Sequence, residues 1–259
     1  MKKIFTYLLA TAALIILTVA AMAQDGTSPF AGSSHGYKVT PGDAGNTLLW
    51  EIVGGNPSDY TVNTTTNSDS INITWNASAV GTTYTLRLTE TSPAPTSCST
   101  VKEIDIDPVA NTFDVSTSNP SATCNDADGQ INYSGSTATT SITFTVDMTT
   151  SNASYSPDWE FVFSLTPGTG ATINNIAASS GSLSGSGPYT LTGLSSASGN
   201  GTVNITMDVT GDINSSLDVN LEITSAKELT YGTPDADSND WAATQTINPI
   251  PATSAITTD

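Results

Sequence analysis

The chain is poor in the residues on which most enzymes and nucleic-acid-binding proteins depend. Of its 259 residues only 12% are charged, with 6 Lys and Arg against 24 Asp and Glu and a formal net charge of −18. So few cations cannot displace counterions from a phosphate backbone, which argues against nucleic acid as a partner. One histidine, His35, and two cysteines, Cys98 and Cys124, offer neither a His/Cys metal cluster nor an obvious nucleophile–base pair.

The polarity of the chain comes instead from uncharged side chains. Serine and threonine together account for 77 residues, 33 Ser and 44 Thr. Threonine favours strands, whereas Ser, Gly, Pro and Asn favour turns. Because 37% of the residues are hydrophobic, the chain also has enough apolar material for real cores. This composition predicts an all-β protein with many tight connections.

The amino terminus has the features of a signal peptide, predicted over residues 1–23. Lys2 and Lys3 precede an apolar run over residues 4–20, and Ala21-Met22-Ala23 has the small-x-small form that signal peptidase accepts. The alternative is a single membrane anchor, since the run approaches spanning length. The cleavage site and the polar residues after it favour export. The mature chain, from Gln24, would keep 4 basic residues against 24 acidic ones, a net charge of −20, and such a surface attracts cations.

Residues 33–108 alternate between apolar and polar side chains in short runs separated by turns. Examples are Ile71-Ile73-Trp75, Tyr84-Leu86-Leu88 and Ile104-Ile106. Such runs favour strands with one buried and one solvent-exposed face. Their number over about 75 residues predicts an immunoglobulin-like sandwich. Both faces of the run over 48–53 are apolar, which places that strand near the middle of the sandwich.

Several segments of this domain resemble the PKD-like domains of secreted and gliding-motility-associated surface proteins of Bacteroidota. The segments are HGYKV at 35–39, WEIVGG at 50–55, INITW at 71–75 and GTTYTL at 81–86, followed by Thr89–Thr91 and Cys98. The resemblance covers about a third of the chain. It implies an immunoglobulin-like extracellular module that acts as a spacer or adhesive unit, with no catalytic residues to carry over. Related domains often have a second cysteine near the first strand, where Ser33 and Ser34 stand here.

Residues 111–248 predict a second β-sandwich, so that the fold class is all-β with two immunoglobulin-like sandwiches in tandem. Strand-like runs occur at 130–134, 140–149, 158–165, 187–192, 201–209, 217–224 and 241–247. The Ser/Gly-rich segments 179–187 and 195–201 predict coil. The Pro-rich residues 249–259 predict an extended tail.

Two acidic segments are candidate cation sites. Asp126 and Asp128 before Gly129 fail the EF-hand pattern, because Cys124 would stand at its first ligand position and Gly135 at its twelfth. The second segment holds Asp235, Asp237, Asn239 and Asp240, four oxygen-bearing residues within six positions. Calcium accepts such ligands, although acidic surface loops in a chain of this charge usually bind nothing specific. No other cofactor is predicted.

Aromatic residues of the second domain suggest an alternative site. Trp159, Tyr231 and Trp241, with Tyr155, would form a sugar-binding platform if at least two of them were exposed on one face; otherwise they pack in the core. His35 is expected at the surface or at a strand end, since no Ser or Cys motif accompanies it. The six glutamates lie on alternating strand faces without a glycosidase motif.

The two cysteines predict an intramolecular disulfide, because an exported protein meets an oxidising environment. A bond between Cys98 and Cys124 would close a loop of about 25 residues and constrain the unfolded chain by about 3–4 kcal/mol. Two free thiols, or pairing with another chain, are the alternatives.

These observations favour a non-enzymatic exported protein of the cell surface or extracellular matrix, with a structural or adhesive role. Its partners would be other surface proteins or extracellular polysaccharide, and a periplasmic or released protein is an alternative location. A carbohydrate-binding module is the second hypothesis. An enzyme is the third, and it would require a cleft with two facing carboxylates.

Overall fold

The computed structural model describes residues 26–125, 136–151, 153 and 155–251. The predicted signal peptide, the Asp126–Asp128 turn, the strand at 130–134 and the end of the tail lie outside these residues. Within the described ranges the chain forms β-strands and two short 3-10 turns but no α-helix, which confirms the all-β prediction. It divides into two units: domain 1 (Met1–Ala110 with Asn152–Tyr155) and domain 2 (Asn111–Ser151 with Ser156–Asp259).

Domain 1 is a sandwich of two three-stranded antiparallel sheets. Its strands are β1 (Ser34–Lys38), β2 (Thr47–Val53), β3 (Tyr60–Val62), β4 (Ser70–Trp75), β5 (Tyr84–Thr91) and β6 (Ser99–Ile106), and its 3-10 turns are Pro57–Asp59 and Ala77–Ala79. The sheet orders are β1-β4-β3 and β2-β5-β6. These are the orders of strands B-E-D and C-F-G in an immunoglobulin fold, which confirms the predicted class.

The core of domain 1 follows from the period-2 pattern of its central strands. In β4, Ile71, Ile73 and Trp75 are 0–1% exposed, because alternate side chains of a strand point to the same face. In β5 the same alternation buries Tyr84 and Leu86. Together with Trp50 of β2 these residues form one cluster drawn from both sheets, so the sheets pack face to face.

Two strands of domain 1 differ from the prediction. The apolar strand β2 lies at the edge of its sheet and not near the middle, and Leu49 and Val53 on its outer face are 47% and 40% exposed. Strand β6 was expected to have one core face, yet of its eight residues only Ile106 is buried. An alternating apolar pattern shows that one face of a strand is hydrophobic, but it does not show that a second sheet covers that face.

The described fold begins before the predicted start at Ser33. Phe30 is 2% exposed and forms a parallel bridge with Val109. The Asp107 N–H donates to the Thr27 carbonyl at 2.8 Å, and the Val109 N–H donates to the Pro29 carbonyl at 2.9 Å. Residues 27–31 therefore pair with the segment that follows β6.

Tyr84, at the start of β5, fixes the turn Pro57–Asp59. Its hydroxyl donates to Oδ2 of Asp59 at 2.7 Å, and the Asn56 N–H donates to the same oxygen at 2.8 Å. The hydrogen bond from Tyr84 is the main reason why the pKa of Asp59 is lowered. Burial, followed by the contact with Asp59, raises the pKa of Tyr84 to about 12. The pair stays Tyr–OH and carboxylate at neutral pH.

Domain 2 is a larger sandwich. Its strands are β7 (Asp114–Thr117), β8 (Thr123–Cys124), β9 (Thr137–Thr149), β10 (Trp159–Pro167), β11 (Thr172–Ala178), β12 (Ser182–Ser184), β13 (Tyr189–Leu194), β14 (Asn200–Asp212), β15 (Leu217–Glu228) and β16 (Ala242–Asn248). They form sheets of order β12-β13-β10-β15-β16-β8 and β11-β14-β9-β7. One apolar cluster draws on both sheets.

The predicted coil at 179–187 is wrong in part. Leu183 of β12 pairs with Leu191 of β13, and Leu183 packs against the core. Glycines allow the tight connections on either side: Gly181 and Gly185 have φ of 78° and 92°, in the region that side-chain-bearing residues avoid. A single leucine in a Ser/Gly-rich segment was too weak a signal to indicate this strand.

Replacing Tyr84 by phenylalanine tests the Tyr84–Asp59 contact. We expect Tyr84→Phe to lower the free energy of unfolding by about 1–2 kcal/mol, because it removes one of the two hydrogen bonds to Oδ2 of Asp59 and leaves only the bond from the Asn56 N–H. Urea denaturation at pH 7 measures the change. Tyr60→Phe is the matched control, since the Tyr60 ring contacts Tyr84 but its hydroxyl has no hydrogen bond among the described residues. Equal losses in both variants would contradict the assignment.

Candidate functional site

The acidic loop, residues 234–240, lies along the outer edge of β7 in domain 2. Strand β7 is the last of its sheet, and the loop pairs with it through backbone hydrogen bonds. The Ala236 N–H donates to the Phe113 carbonyl at 2.8 Å, and the Thr117 N–H donates to the Asp240 carbonyl at 2.9 Å. These bonds bring together residues that are about 120 positions apart in sequence.

A buried glutamate organises the turn that leads into this loop. Glu228, at the end of β15, is 0% exposed. Its carboxylate accepts hydrogen bonds from the N–H groups of Thr230, Tyr231 and Thr233 at 2.7–2.9 Å and from the Thr233 hydroxyl at 2.7 Å. Backbone donors satisfy a buried carboxylate without a cation, and here they fix the backbone just before Pro234.

Three carboxylates converge where the loop meets β7. Asp114, Asp237 and Asp240 each offer one oxygen, and these oxygens all lie within 4.8 Å of one another. Two oxygens on opposite sides of one Ca²⁺ lie about 4.6–5.2 Å apart. The spacing therefore suits a single hard cation with additional oxygen ligands.

The structure rearranges the predicted ligand set. Asp237 and Asp240 come together as the loop predicts, but Asp235 turns to β7, where its Oδ2 accepts the Val115 N–H at 2.6 Å. Asn239 is exposed, and its backbone N–H donates to Oδ1 of Asp237 at 3.0 Å. Asp114 was missed, because nothing local in the sequence indicates that the acidic loop packs beside β7.

Electrostatic repulsion is built into this cluster. Burial is the main cause that raises the pKa of Asp114, and the charges of Asp240 and Asp237 raise it further. Burial also raises the pKa of Asp235 to about 6, against an ordinary value of 3.8. Oδ1 of Asp240 is buried and has no hydrogen-bond partner among the residues that the structure describes. A bound cation would reduce the repulsion between the carboxylates and would coordinate the Oδ1 atom of Asp240.

The aromatic platform predicted for sugar binding is contradicted by burial. Trp159 is 1% and Tyr155 9% exposed, whereas Tyr231 and Trp241 are half-buried. Alternation along β10 turns Trp159 inward, where its ring stacks on Phe161 at 5.6 Å. None of the four belongs to the exposed residues, so the condition for a platform is not met.

His35 is the second residue of β1, near a strand end as one of the two expectations had it, but it is buried, so the surface alternative is wrong. It is 2% exposed, and its Nε2 lies 3.0 Å from the Ser33 hydroxyl oxygen. That hydroxyl donates its hydrogen bond to the Phe30 carbonyl at 2.6 Å, so in its contact with His35 it accepts a hydrogen bond from the Nε2–H. A general base requires the opposite direction. Because Ser33 is 0% exposed, this contact is structural.

Three surface cavities of the described chain each contain one carboxylate: Glu103, Glu90 or Glu160. Glu103 is paired with Arg87 at 2.6 Å and Glu160 with Lys227 at 3.1 Å. None of these cavities places two carboxylates face to face, which glycoside hydrolysis would require.

Both cysteines are exposed free thiols in the structure. Cys98 lies in the turn between β5 and β6 of domain 1, with its Sγ 3.5 Å from the Thr96 carbonyl oxygen. Cys124 ends β8 of domain 2. The predicted bond is therefore not formed here, and pairing during export stays a prediction.

Calcium binding to the Asp114–Asp237–Asp240 cluster is tested by thermal unfolding. We expect calcium to raise the melting temperature, with a gain of about 2.7 kcal/mol in unfolding free energy at a hundredfold excess over the dissociation constant. Asp114→Asn/Asp237→Asn should abolish the shift. The control Asp69→Asn/Asp158→Asn removes the same charge from exposed positions and should keep it. No shift, or equal shifts in both variants, would remove the site.

Stability against pH tests the environment of Asp235. A folded-state pKa raised to about 6 means that the folded protein binds this proton more tightly than the unfolded chain. The resulting stability is complete below about pH 4 and is lost as the pH rises through 6. With a calcium chelator present, the wild type should therefore lose stability relative to Asp235→Asn across this window. A difference between wild type and Asp235→Asn that stays constant across this window would contradict the assignment.

Comparison with known proteins gives only distant similarities. No protein-family model matches the chain, and no curated protein matches it. Among solved structures, the chain is similar to the C-terminal domain of the AgI/II polypeptide BspA of Streptococcus agalactiae, with 8% identity, TM-score 0.32 and coverage of 88% of this chain and 96% of that one. It is also similar to the C-terminal domain of the antigen I/II-family protein AspA of Streptococcus pyogenes, with 9% identity, TM-score 0.32 and coverage of 86% and 95%. Likenesses this distant carry no argument about function. In the described ranges there is no long apolar helix of the kind that spans a membrane.

Proposed function

We propose that this protein is a non-enzymatic exported module of the cell surface or extracellular matrix, with a structural or adhesive role. In this proposal residues 1–23 are a cleaved signal peptide and domain 1 is a PKD-like unit. Other surface proteins or extracellular polysaccharide are its partners. A cation held by the acidic loop, calcium by its ligand chemistry, would have a structural role.

The observation that carries the proposal is the outer surface of the domain 2 sandwich. On the β9–β14 face, side chains bond across the strands: Thr139 to Thr210 at 2.8 Å, Thr145 to Asn204 at 3.0 Å and Thr202 to Asp147 at 2.6 Å. On the β15–β16 face, Thr244 donates to Asn220 at 2.6 Å and Thr246 to Asp218 at 2.7 Å. Both outer faces are thus covered by ladders of short polar side chains.

These ladders suit a protein that must keep its shape outside the cell. Cross-strand pairs each add about 0.2–1 kcal/mol, and they leave few rotatable groups on the surface. The long register between β9 and β14, continuous over Thr137–Thr149 and Asn200–Asp212, couples many such pairs in one rigid face. A broad, stiff and largely uncharged sheet surface supports a structural or adhesive role.

Carbohydrate binding through stacked aromatic rings is not supported by this surface, because Trp159 and Tyr155 belong to cores. Any contact with polysaccharide would be made by the hydroxyl and amide ladders. Such contacts are weak individually and need a large area. They fit a matrix protein better than a sugar-specific module.

Export and attachment test the proposal directly. When the full-length gene is expressed in a bacterium, we expect a mature mass that starts at Gln24 and protein that protease can reach on intact cells. Ala23→Leu should block cleavage, because the position before the cut must be small, whereas Met22→Leu should be processed normally. Uncleaved protein confined to the cytoplasm would contradict the proposed location.

Beads coated with the purified mature protein should adhere to cell-surface or matrix material. The protein itself should show no turnover of glycosidic, ester or peptide substrates. Reproducible turnover that one acidic substitution abolishes would overturn the non-enzymatic role. Failure to retain the beads on any such material would overturn the adhesive one.

A further inference from the structure

Strand β6 of domain 1 presents an open edge. It is the last strand of the sheet β2-β5-β6, and seven of its eight residues are exposed. Two of them are large apolar residues, Val101 at 51% and Ile104 at 44% exposed. Proteins usually shield such an edge with charge, proline or a covering segment, because its free N–H and C=O groups attract another strand.

The chain itself shows that this edge accepts an extended segment. Just beyond β6, the Asp107 N–H donates to the Thr27 carbonyl at 2.8 Å. The register of β6 with β5 is unbroken from Ile106 back to Ser99, and backbone N–H groups alternate sides along a strand. The N–H groups of Val101, Glu103 and Asp105 therefore point to the same side as that of Asp107. Among the described residues, no backbone group pairs with them.

A cavity of about 230 Å³ lies beside this open edge, between β6 and the end of β1. Its apolar lining consists of Tyr37, Val39, Trp50, Leu86, Leu88 and Ile104. An apolar cavity next to free backbone groups provides both elements of strand addition: hydrogen bonds for affinity, and pockets for alternate side chains.

The charges at the cavity indicate what kind of segment it accepts. Four basic residues lie in the described chain, and two of them are paired, Arg87 with Glu103 and Lys227 with Glu160. The other two, Lys38 and Lys102, line this cavity and have no ion pair among the described residues. Glu103 is the one acid in the lining, and Arg87 already neutralises it. The cavity is thus locally positive on a strongly acidic protein.

We propose that β6 and this cavity bind an extended segment of a partner protein whose cavity-facing side chains, at every second residue, include both apolar and acidic ones. The partner backbone pairs with Val101, Glu103 and Asp105, its apolar side chains enter the cavity, and its carboxylates meet Lys38 and Lys102. The inference rests on the proposed surface role and names the partner's chemistry. Complementary charge fixes the choice of partner and speeds association.

Two other possible occupants, the chain's own N-terminal residues and a second copy of the protein, match these charges less well. The sequence just before Gly26 contains a single acid, Asp25, after an uncharged run from Ile4 to Gln24. A second copy of the whole protein would bring a net charge of about −20 against another. Both occupants are distinguished by the test.

The probe is an acetylated octapeptide of sequence Val-Thr-Asp-Thr-Val-Thr-Asp-Thr, which places valine and aspartate on one face of a strand, and its control has lysine in place of aspartate. They are added to the isotope-labelled mature protein beginning at Gln24, and amide exchange is followed by NMR. The acidic peptide should bind and should protect the amides of Val101, Glu103 and Asp105. The amides of Thr100, Lys102 and Ile104 already face β5 and should change little. Binding should weaken with salt.

Two variants separate charge from backbone pairing. Lys38→Glu/Lys102→Glu changes exposed side chains only, and it should weaken binding of the acidic peptide at least tenfold while favouring the lysine peptide. Val101→Pro removes one outward N–H that the β5 ladder does not use, and edge strands tolerate proline. Val101→Pro should weaken the binding of both peptides, whereas Val101→Thr should leave their binding unchanged.

Several results would overturn the proposal. They are no binding of the acidic peptide, equal binding of both peptides, binding without protection of the three outward amides, or an unchanged preference in the Lys-to-Glu variant. Protection of the same amides in the absence of peptide would also overturn the proposal. If it occurs in a chain that starts at Met1, the chain's own N-terminal residues occupy the edge. If it occurs only at high concentration of the mature chain, a second copy occupies the edge. Because bead attachment is measured separately, loss of peptide binding would leave the adhesive role standing.

Discussion

Carboxylates in this protein are stabilised by backbone N–H groups and hydroxyls, because the chain has too few cations to pair with them. Buried Glu228 accepts three backbone N–H groups, and Asp59 accepts the Asn56 N–H and the Tyr84 hydroxyl. At the surface of domain 1, Glu90 accepts the Gly42 N–H and the Asn46 amide, which lower its pKa. Each such carboxylate fixes a loop, so the acidic composition shapes the connections between strands as well as the surface.

The two candidate interaction sites are the places where this balance is incomplete. At the Asp114–Asp237–Asp240 cluster, carboxylates face one another, and Oδ1 of Asp240 is buried with no donor in the described ranges. Beside β6 the imbalance has the opposite sign, because Lys38 and Lys102 have no acidic partner within the part of the chain that the structure describes. On the outer faces of β9–β14 and β15–β16 in domain 2, threonine pairs across the strands with threonine, asparagine or aspartate. Specific binding is therefore expected at these two sites, and broad contact on the ladder surfaces.

The sequence was sufficient to predict the all-β class, both sandwiches and most strands, because period-2 alternation is a local property of the chain. It did not predict which strands lie at edges: β2 and β6 have apolar patterns, and only tertiary packing leaves them uncovered. It also identified Asp237 and Asp240 but missed Asp114, whose approach depends on hydrogen bonds formed across about 120 residues. Trp159 and His35 were uncertain for the same reason, since a side chain's burial depends on what packs against its strand.

The most direct test of this account is a pH titration of the Asp and Glu carboxyl carbons of the mature protein by NMR, in the absence of divalent cations. Hydrogen bonds from donors should make Asp59 and Glu90 titrate below their ordinary ranges. Asp114 should titrate above its ordinary range and Asp235 near 6. If Asp59 and Glu90 titrated with the exposed acids, donors would not be the means by which the chain tolerates its charge. If Asp114 and Asp235 did so, the acidic loop would not be packed against β7 as described.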